Sequence, residues 1–126
     1  MLLNMKPHLH ARNSARRHGG KPEDYQDIHD LIDSSKAASA DGRHRMVLHH
    51  AFGCYVVERV FGTTRTNSDG NVYSPRDIAE EHITEDLGFI PSLEHWVRNV
   101  QPVDWMYGNR RKIEITKTAK RGAAAD

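Results

Sequence analysis

Glycine and proline breaks divide this chain into short segments. Gly19-Gly20, Asp41-Gly42, Gly62 and Gly88 each interrupt a helical pattern, and Pro102 follows the last one. Such residues end helices because glycine adopts left-handed conformations readily and proline lacks a backbone donor. The helices between the breaks have at most about five turns, so the sequence predicts a small bundle. Its 126 residues suit one compact domain.

The apolar spacing between these breaks predicts five helices and one hairpin. Ser74 and Ser92 have the short hydroxyl side chains that cap helix N-termini, and Asp69-Gly70 is typical of a hairpin turn. The third helix is apolar on nearly every face, which indicates a central position in the core. With their caps, the predicted helices are 8–18, 22–38, 43–61, 74–87 and 92–100, and the hairpin is 63–73. The fold class is therefore mainly α: a small helical bundle of about five helices with one short β-hairpin insertion.

Charge is distributed unevenly along the chain. Residues 1–21 carry five basic residues and no acidic one, 22–106 carry seven basic and fifteen acidic, and 107–126 carry six basic and two acidic. We therefore expect a single helical domain over 1–106 with a basic N-terminal arm, and a basic, largely disordered tail over 107–126. The basic ends either lie on the acidic body or bind phosphate groups. The candidates for phosphate or nucleic-acid contacts are Arg12, Arg16, Arg17, Arg110 and Arg111.

Composition excludes several classes of protein. Only 37% of the residues are hydrophobic, and no apolar run approaches the about 20 residues of a membrane-spanning helix. The N-terminus lacks the apolar stretch of a secretory signal, so we expect a cytoplasmic protein. The single cysteine, Cys54, excludes an internal disulfide framework and a zinc ribbon with several cysteines. On its packed helix we expect it to be buried and unreactive.

Nine histidines are the unusual feature of the composition. His29 and Asp33 are four residues apart in the second predicted helix, and His82 and Asp86 have the same spacing in the fourth. Residues at this spacing share a helix face about one turn apart. Each pair can therefore offer a nitrogen and an oxygen to one metal ion, or the aspartate can orient the histidine. Both pairs adjoin apolar stripes and are expected to face the interior, where unpaired polar groups are costly.

The third predicted helix adds His44, His49 and His50. His49 and His50 fall on different faces, so one of them should face the other helices. Three inward-facing helices could then form a His/carboxylate centre for zinc, manganese or iron. The predicted ligands are His29, Asp33, His50 and His82, and the predicted supporting residues or alternative ligands are His49, His44 and Asp86. With one coordination position open, bound water could be activated for hydrolysis, and the candidate catalytic residues are Glu81 and Asp86.

The same spacings also have a purely structural explanation. A histidine and an aspartate four residues apart form ordinary helix pairs, and buried histidines often satisfy a single hydrogen bond. The sequence contains neither His-Glu-x-x-His nor Cys-x-x-Cys, which are the usual zinc signatures. At this point the metal centre and plain side-chain pairing are both open.

Several motifs resemble one known family. They are Gly19-Gly20-Lys-Pro-Glu-Asp-Tyr25, Asn67-Ser-Asp-Gly70 and the stretches 10–15, 43–45, 49–50, 58–62 and 82–88. Together they resemble a family of small uncharacterised proteins of bacteria and phages that carry a domain of unknown function. The resemblance extends over roughly residues 8–107. It implies that the pattern includes His29, His44, His49, His50, His82, Asp33 and Asp86, and it implies no established activity.

Three functions are compatible with the sequence. The first, which leads, is a metal-binding helical protein that could hydrolyse a phosphorylated or nucleotide substrate, although catalysis is undecided. The second is a non-catalytic binding module of phage or bacterial origin that engages a host protein or small ligand, alone or as a homodimer. The third is nucleic-acid binding through the basic arms, which the acidic body disfavours.

Overall fold

The computed structural model of the protein describes residues 7–109 and confirms the mainly α fold class. Within residues 7–109, no helix is long and apolar enough to span a membrane. Residues 110–126 of the predicted tail, with Arg110 and Arg111, lie outside the described residues. The α-helices of the described residues are α1 (Pro7–His18), α2 (Gln26–Ile32), α3 (Ala51–Phe61), α4 (Pro75–Leu87) and α5 (Leu93–Val97). The antiparallel hairpin pairs β1 (Arg65–Thr66) with β2 (Val72–Tyr73), and 3-10 helices span Pro22–Asp24, Ser34–Ala37, Gly42–Met46 and Asp104–Tyr107.

The second predicted helix, residues 22–38, is not one continuous helix in the structure, so this prediction is wrong. Tyr25 has φ −114°, so it interrupts the helical path between a 3-10 turn and α2. Its ring is fully buried, and its hydroxyl donates a hydrogen bond to the Gly19 carbonyl at 2.7 Å. At the other end Asp33 leaves the helical conformation, with φ −95° and ψ 5°. Tertiary contacts of Tyr25 therefore limit α2 to seven residues.

The third predicted helix is also divided, and its expected central position is wrong. His50 is extended, with φ −164° and ψ 173°, and it caps α3 by accepting a hydrogen bond from Gly53 N–H at 3.0 Å. The chain before α3 is therefore a 3-10 turn followed by an irregular turn over 47–50. On α3 itself Phe52, Tyr55 and Val60 are exposed. One face of α3 is consequently on the surface, and only the opposite face contributes to the core.

The loop of the hairpin, residues 67–71, packs against the Gly19-Gly20 turn. Asn67 is buried and donates through Nδ2 to the His18 carbonyl at 2.9 Å, while Gly20 N–H donates to Asp69 Oδ2 at 2.8 Å. Gly20 has φ +74°, and a side chain there would contact Asn67, so this turn requires glycine. The loop thereby fixes the point where α1 ends and the chain turns towards α2.

Helix α4 contacts α1, α2 and α3. It lies between two parts of the interior, one apolar and one polar. It begins as predicted, with Ser74 accepting a hydrogen bond from Asp77 N–H at 3.3 Å. Ile78 and Ile83 face the apolar core, whereas His82 faces a polar layer. The apolar core consists of Tyr25, Ile28, Ile32, Cys54, Val57, Tyr73, Ile78, Ala79 and Ile83.

Candidate metal centre

Polar side chains occupy the second part of the interior. Six of the nine histidines are at most 1% exposed, namely His10, His29, His44, His49, His50 and His82. The side chains of Asp33 and Asp86 are buried among them, with 4% and 1% exposed. Buried carboxylates are costly unless they are paired or bind an ion. The chemistry of this layer therefore depends on how these groups are arranged.

Four side chains converge on one point between α2, α4 and the 47–50 turn. His49 Nε2 lies 3.0 Å from Asp86 Oδ2 and 3.4 Å from Asp33 Oδ1. His82 Nε2 lies 3.2 Å from each of the same two oxygens. The four residues have ligand atoms that all lie within 4.8 Å of one another. One oxygen of each carboxylate consequently faces both imidazoles. We call Asp33, His49, His82 and Asp86 the four-residue cluster.

Helix ends and helix periodicity position three members of the four-residue cluster. Asp33 is the C-terminal cap of α2, where the backbone leaves the helix and directs the carboxylate inward. His82 and Asp86 lie four residues apart on α4, so they share one face of that helix. The spacing of His82 and Asp86 is thus visible in the sequence, whereas the position of Asp33 depends on the end of α2.

His49, the fourth member, is held by the segment that follows α4. The His49 carbonyl accepts a hydrogen bond from the Trp96 indole nitrogen at 3.0 Å. Two residues later, Ala51 N–H donates to the Pro91 carbonyl at 2.9 Å. Gly53 allows the turn to close, because a Cβ there would lie 1.8 Å from the Leu48 carbonyl oxygen. The irregular turn is therefore fixed on both sides of His49.

A chain of polar contacts leads from His82 away from the carboxylates. His82 Nδ1 lies 2.8 Å from His29 Nδ1, and His29 Nε2 lies 2.8 Å from Ser14 Oγ. The Ser14 hydroxyl donates to the His10 carbonyl at 3.2 Å. The rings of His10, His29 and His82 are stacked, with interplanar angles of 18° to 24°. These three rings also have ligand atoms within 4.8 Å of one another, but the two Nδ1 atoms of His29 and His82 already contact each other at 2.8 Å.

Burial and hydrogen bonding set the protonation states of the cluster. Burial opposes ionisation of Asp86, but three histidine hydrogen bonds outweigh it and lower its pKa well below the usual range. Burial is likewise outweighed at Asp33, whose pKa the hydrogen bond and charge of His82 lower. Burial lowers the pKa of His49, and burial with repulsion from neighbouring histidines lowers that of His29 to about 2. At neutral pH the carboxylates are ionised and these two imidazoles are neutral, as metal binding requires.

Two cationic side chains lie at the edge of the cluster. Lys36 Nζ is 3.6 Å from Asp33 Oδ2, and Arg45 Nε is 3.8 Å from Asp86 Oδ2. The Lys36 side chain is 35% exposed and that of Arg45 is 13% exposed. The cluster thus has a positively charged side that reaches the surface next to both carboxylates.

On the opposite side, His10 connects the cluster to the surface. His10 Nε2 lies 3.2 Å from Asp86 Oδ1, and His10 Nδ1 lies 2.6 Å from Glu85 Oε1. Burial opposes protonation of His10, but hydrogen bonds and charge from the two carboxylates outweigh it and raise its pKa. The outer oxygen of Glu85 pairs with Arg17 Nη1 at 2.6 Å. His10 therefore connects the carboxylates of Asp86 and Glu85 through its two ring nitrogens.

The chain matches one known protein family. Residues 5–106 match the family described as a domain of unknown function (DUF6915). The chain belongs to this family. The match confirms the resemblance to a family with an uncharacterised domain, while an origin in bacteria or phages stays a prediction. Comparison with curated proteins and with solved structures found no match, so function has to be argued from the geometry.

Within this DUF6915 domain, the structure brings together some of the predicted site residues and separates others. Asp33 and His82 were predicted as ligands, and His49 and Asp86 as supporting or alternative residues; these four form the cluster. His29, a predicted ligand, contacts His82 and does not face the carboxylates. Its ring lies between Ser14 Oγ and the Nδ1 edge of His82.

His50, a predicted ligand, lies outside the four-residue cluster. Its Nδ1 accepts a hydrogen bond from Gly53 N–H, and its Nε2 lies 3.0 Å from the carbonyls of Met46 and Val47. Both nitrogens are therefore occupied by the backbone around the start of α3. The prediction assumed a continuous helix through His50, where the chain instead makes a cap.

The candidate catalytic residue Glu81 lies outside the cluster, because both of its carboxylate oxygens contact His18 Nε2 at 3.0 Å. Of the arginines predicted for phosphate contacts, Arg12 and Arg16 are exposed on α1, and Arg17 pairs with Glu85.

Sequence reasoning missed His10 and Ser14. Their spacing of four residues, flanking the buried Ala11 on α1, was the available signal.

Proposed function

We propose that the protein binds one divalent metal ion through Asp33, His49, His82 and Asp86. Four nitrogen–oxygen separations of 3.0 to 3.4 Å, among ligand atoms that all lie within 4.8 Å of one another, carry this proposal. Four ligands about 2.1 Å from one ion are about 3.4 Å apart in a tetrahedron, and adjacent ligands are about 3.0 Å apart in an octahedron. Two imidazoles with two carboxylates suit zinc, manganese or iron. The spacing therefore fits coordination of a single ion.

The count of hydrogens also supports an ion. Without an ion, hydrogen bonds would have to account for four contacts of 3.0 to 3.4 Å between imidazole nitrogens and carboxylate oxygens. Each neutral imidazole, however, has at most one hydrogen on Nε2. A metal ion instead accepts all four lone pairs. The contacts behind His82 are then satisfied in sequence: His82 donates to His29, His29 to Ser14, and Ser14 to the His10 carbonyl.

The burial of the ligands favours a role in stabilising the fold. A site with four protein ligands is typical of structural zinc, whereas catalytic zinc keeps one position for water. The four-residue cluster belongs to α2, to α4 and to the turn before α3. An ion there joins three elements that are distant in sequence, so its binding free energy contributes to folding.

Elemental mass spectrometry on untagged protein tests the proposal. We expect about one equivalent of zinc, manganese or iron in the wild type, and loss of the metal in the double variant Asp33→Asn/Asp86→Asn, which keeps the side-chain shapes. The matched control is Asp30→Asn/Asp77→Asn, since these two aspartates lie on the same helices and are exposed. Equal metal content in the two double variants contradicts this ligand set.

A spectroscopic measurement keeps the test independent of how the variant folds. Cobalt(II) added to metal-free wild type should give the intense visible absorption of a four-coordinate site with nitrogen and oxygen ligands. Saturation at 100 times the dissociation constant should stabilise the protein by about 2.7 kcal/mol, which is roughly 10 °C in Tm for a domain of this size. Metal-free wild type that shows neither response contradicts the proposal.

Hydrolysis of a phosphorylated or nucleotide substrate is the second candidate function. One observation favours it: Lys36 and Arg45 lie beside the two carboxylates on a side that reaches the surface, where a phosphate group bound to the ion would meet them. The test is turnover of p-nitrophenyl phosphate and of nucleoside triphosphates by manganese-loaded and zinc-loaded protein. Activity that falls at least tenfold in Lys36→Gln supports it, and no turnover in any loaded form leaves the structural role.

A further inference from the structure

Two buried ring nitrogens beside the four-residue cluster have no hydrogen-bond partner among the described residues. They are Nδ1 of His49 and Nε2 of His44. The two rings are perpendicular, with centroids 5.8 Å apart. At this centroid separation, two ring nitrogens turned directly towards each other would be roughly 3.5 Å apart, so a small movement of either ring would bring them within hydrogen-bond distance. Buried polar atoms normally have partners, so this pair calls for a physical explanation.

Ser35 determines which nitrogen of His44 carries the hydrogen. The Ser35 hydroxyl donates to the His44 carbonyl at 2.7 Å, which uses its single hydrogen. Its oxygen, 3.3 Å from His44 Nδ1, can then only accept a hydrogen bond from that nitrogen. Burial lowers the pKa of His44, so the ring is neutral. His44 Nε2 therefore presents a buried lone pair that requires a donor.

We propose that His44 accepts a hydrogen bond from His49 Nδ1 and thereby directs the lone pair of His49 Nε2 onto the metal ion. This inference rests on the proposed metal centre. A neutral imidazole has one N–H. With the hydrogen on Nε2, directed at Asp86, both buried nitrogens of the pair would be lone pairs without a donor. With the hydrogen on Nδ1, both are satisfied, and Nε2 is free to coordinate.

The groups that contact the far side of the His82 ring come in the same order as those proposed for His49. His82 is followed by His29, by the Ser14 hydroxyl and by the His10 carbonyl. For His49 the proposed order is His44, the Ser35 hydroxyl and the His44 carbonyl. A metal-bound histidine usually donates its other N–H to a partner that fixes its orientation. His44 and Ser35 are positioning residues in this sense, because they act through His49.

Nuclear magnetic resonance of the zinc-loaded wild type, labelled with ¹⁵N-histidine, tests this tautomer directly. Long-range ¹⁵N–¹H correlations distinguish a hydrogen on Nδ1 from one on Nε2. We expect His49 to be protonated on Nδ1, with a slowly exchanging N–H, and His44 also to be protonated on Nδ1. Zinc bound to a protein in which His44 is protonated on Nε2 overturns the inference and leaves the proposed metal centre intact.

Zinc affinity of variants, measured by competition with a chelator, gives the second test. His44→Phe should weaken binding about 10- to 100-fold. His44→Gln should recover most of the loss, because its side-chain amide lies near the position of Nε2. Ser35→Ala should weaken binding several-fold, whereas Ser34→Ala is the neighbouring control, since exposed Ser34 donates only to the Leu31 carbonyl.

The outcomes separate the two proposals. If both His44→Phe and Ser35→Ala bind zinc as tightly as the wild type, the role of His44 is overturned and the metal centre is not. Absence of zinc binding by the wild type overturns the metal centre and the role of His44 with it. Should His44→Phe fail to fold, the comparison of Ser35→Ala with Ser34→Ala and the wild-type tautomer still decide.

Discussion

Replacement of Gly53 by alanine tests whether the turn before α3 holds the site in place. An alanine Cβ would lie 1.8 Å from the Leu48 carbonyl oxygen, 2.6 Å from its carbonyl carbon and 2.9 Å from its Cα. Real Cβ contacts are essentially never shorter than 3.0 Å, so the Leu48 peptide must move by more than an ångström. Leu48 precedes His49 directly. The substitution therefore shifts a ligand of the proposed centre without changing any ligand.

The expected loss of stability follows from two terms. Overpacking against a fixed backbone costs about 1 to 3 kcal/mol. The His50 cap, which accepts from Gly53 N–H at 3.0 Å, contributes about another 1 kcal/mol. Gly53→Ala should therefore lower the free energy of unfolding by about 2 to 4 kcal/mol, and zinc affinity should fall as well because coordination tolerates only small displacements.

Urea unfolding of the metal-free protein measures this change, with Gly42→Ala as the matched control. A Cβ at Gly42 meets no atom within 4 Å, so this variant should stay within about 0.5 kcal/mol of the wild type or be slightly stabilised. If Gly53→Ala were as stable as Gly42→Ala and bound zinc normally, the close contact with Leu48 would not constrain the turn. The account of how His49 is positioned would then be refuted.

Three further predictions concern other parts of the molecule. Trp96→Phe removes the indole donor to the His49 carbonyl and should weaken zinc binding, whereas unchanged affinity would show that this contact does not position the turn. Asp24, whose pKa is lowered from 3.8 to about 2 by hydrogen bonds from Lys21 and Ser68, has a folded pKa below its unfolded one. Asp24→Asn should thus destabilise the protein in urea titrations at pH 7, with the difference narrowing as pH falls from about 4 towards 2; a constant difference contradicts this. Cys54 is 1% exposed, and burial raises its pKa to about 11, so a disulfide reagent at pH 8 should label it only after unfolding, and rapid labelling of folded protein would show that α3 opens.

The ends of several helices could be predicted because they depend on neighbouring residues in the chain. The Gly19-Gly20 break, the Ser74 and Ser92 caps and the Asp69-Gly70 turn all lie where local rules place them. The interruption at Tyr25 could not be predicted in this way. It depends on burial of the ring and on a hydrogen bond to Gly19, and both are tertiary contacts.

In the candidate site, too, some positions follow from neighbouring residues in the chain and others depend on tertiary structure. The pair His82 and Asp86 is visible as a spacing of four on a regular helix. The choice between His49 and His50 required the backbone of the 47–50 turn, where the cap makes His50 structural and leaves His49 to face the carboxylates. Helix periodicity has no meaning across such a turn. Sequence reasoning therefore predicted the types of residue that the cluster contains, but it placed His50 among them in preference to His49.

The polar layer determines what the bundle needs for stability. Six histidines and two aspartates fill interior volume that apolar side chains would otherwise occupy, and among the described residues nine buried ones form the apolar core. Replacing buried charged groups by apolar ones is often neutral or stabilising, whereas breaking such a network is strongly destabilising. A layer of this kind is therefore hard to explain by stability of the hydrogen-bonded network alone. An ion that joins α2, α4 and the turn before α3 would explain why the carboxylates are buried, why imidazoles surround them and why the supporting histidines face serine hydroxyls.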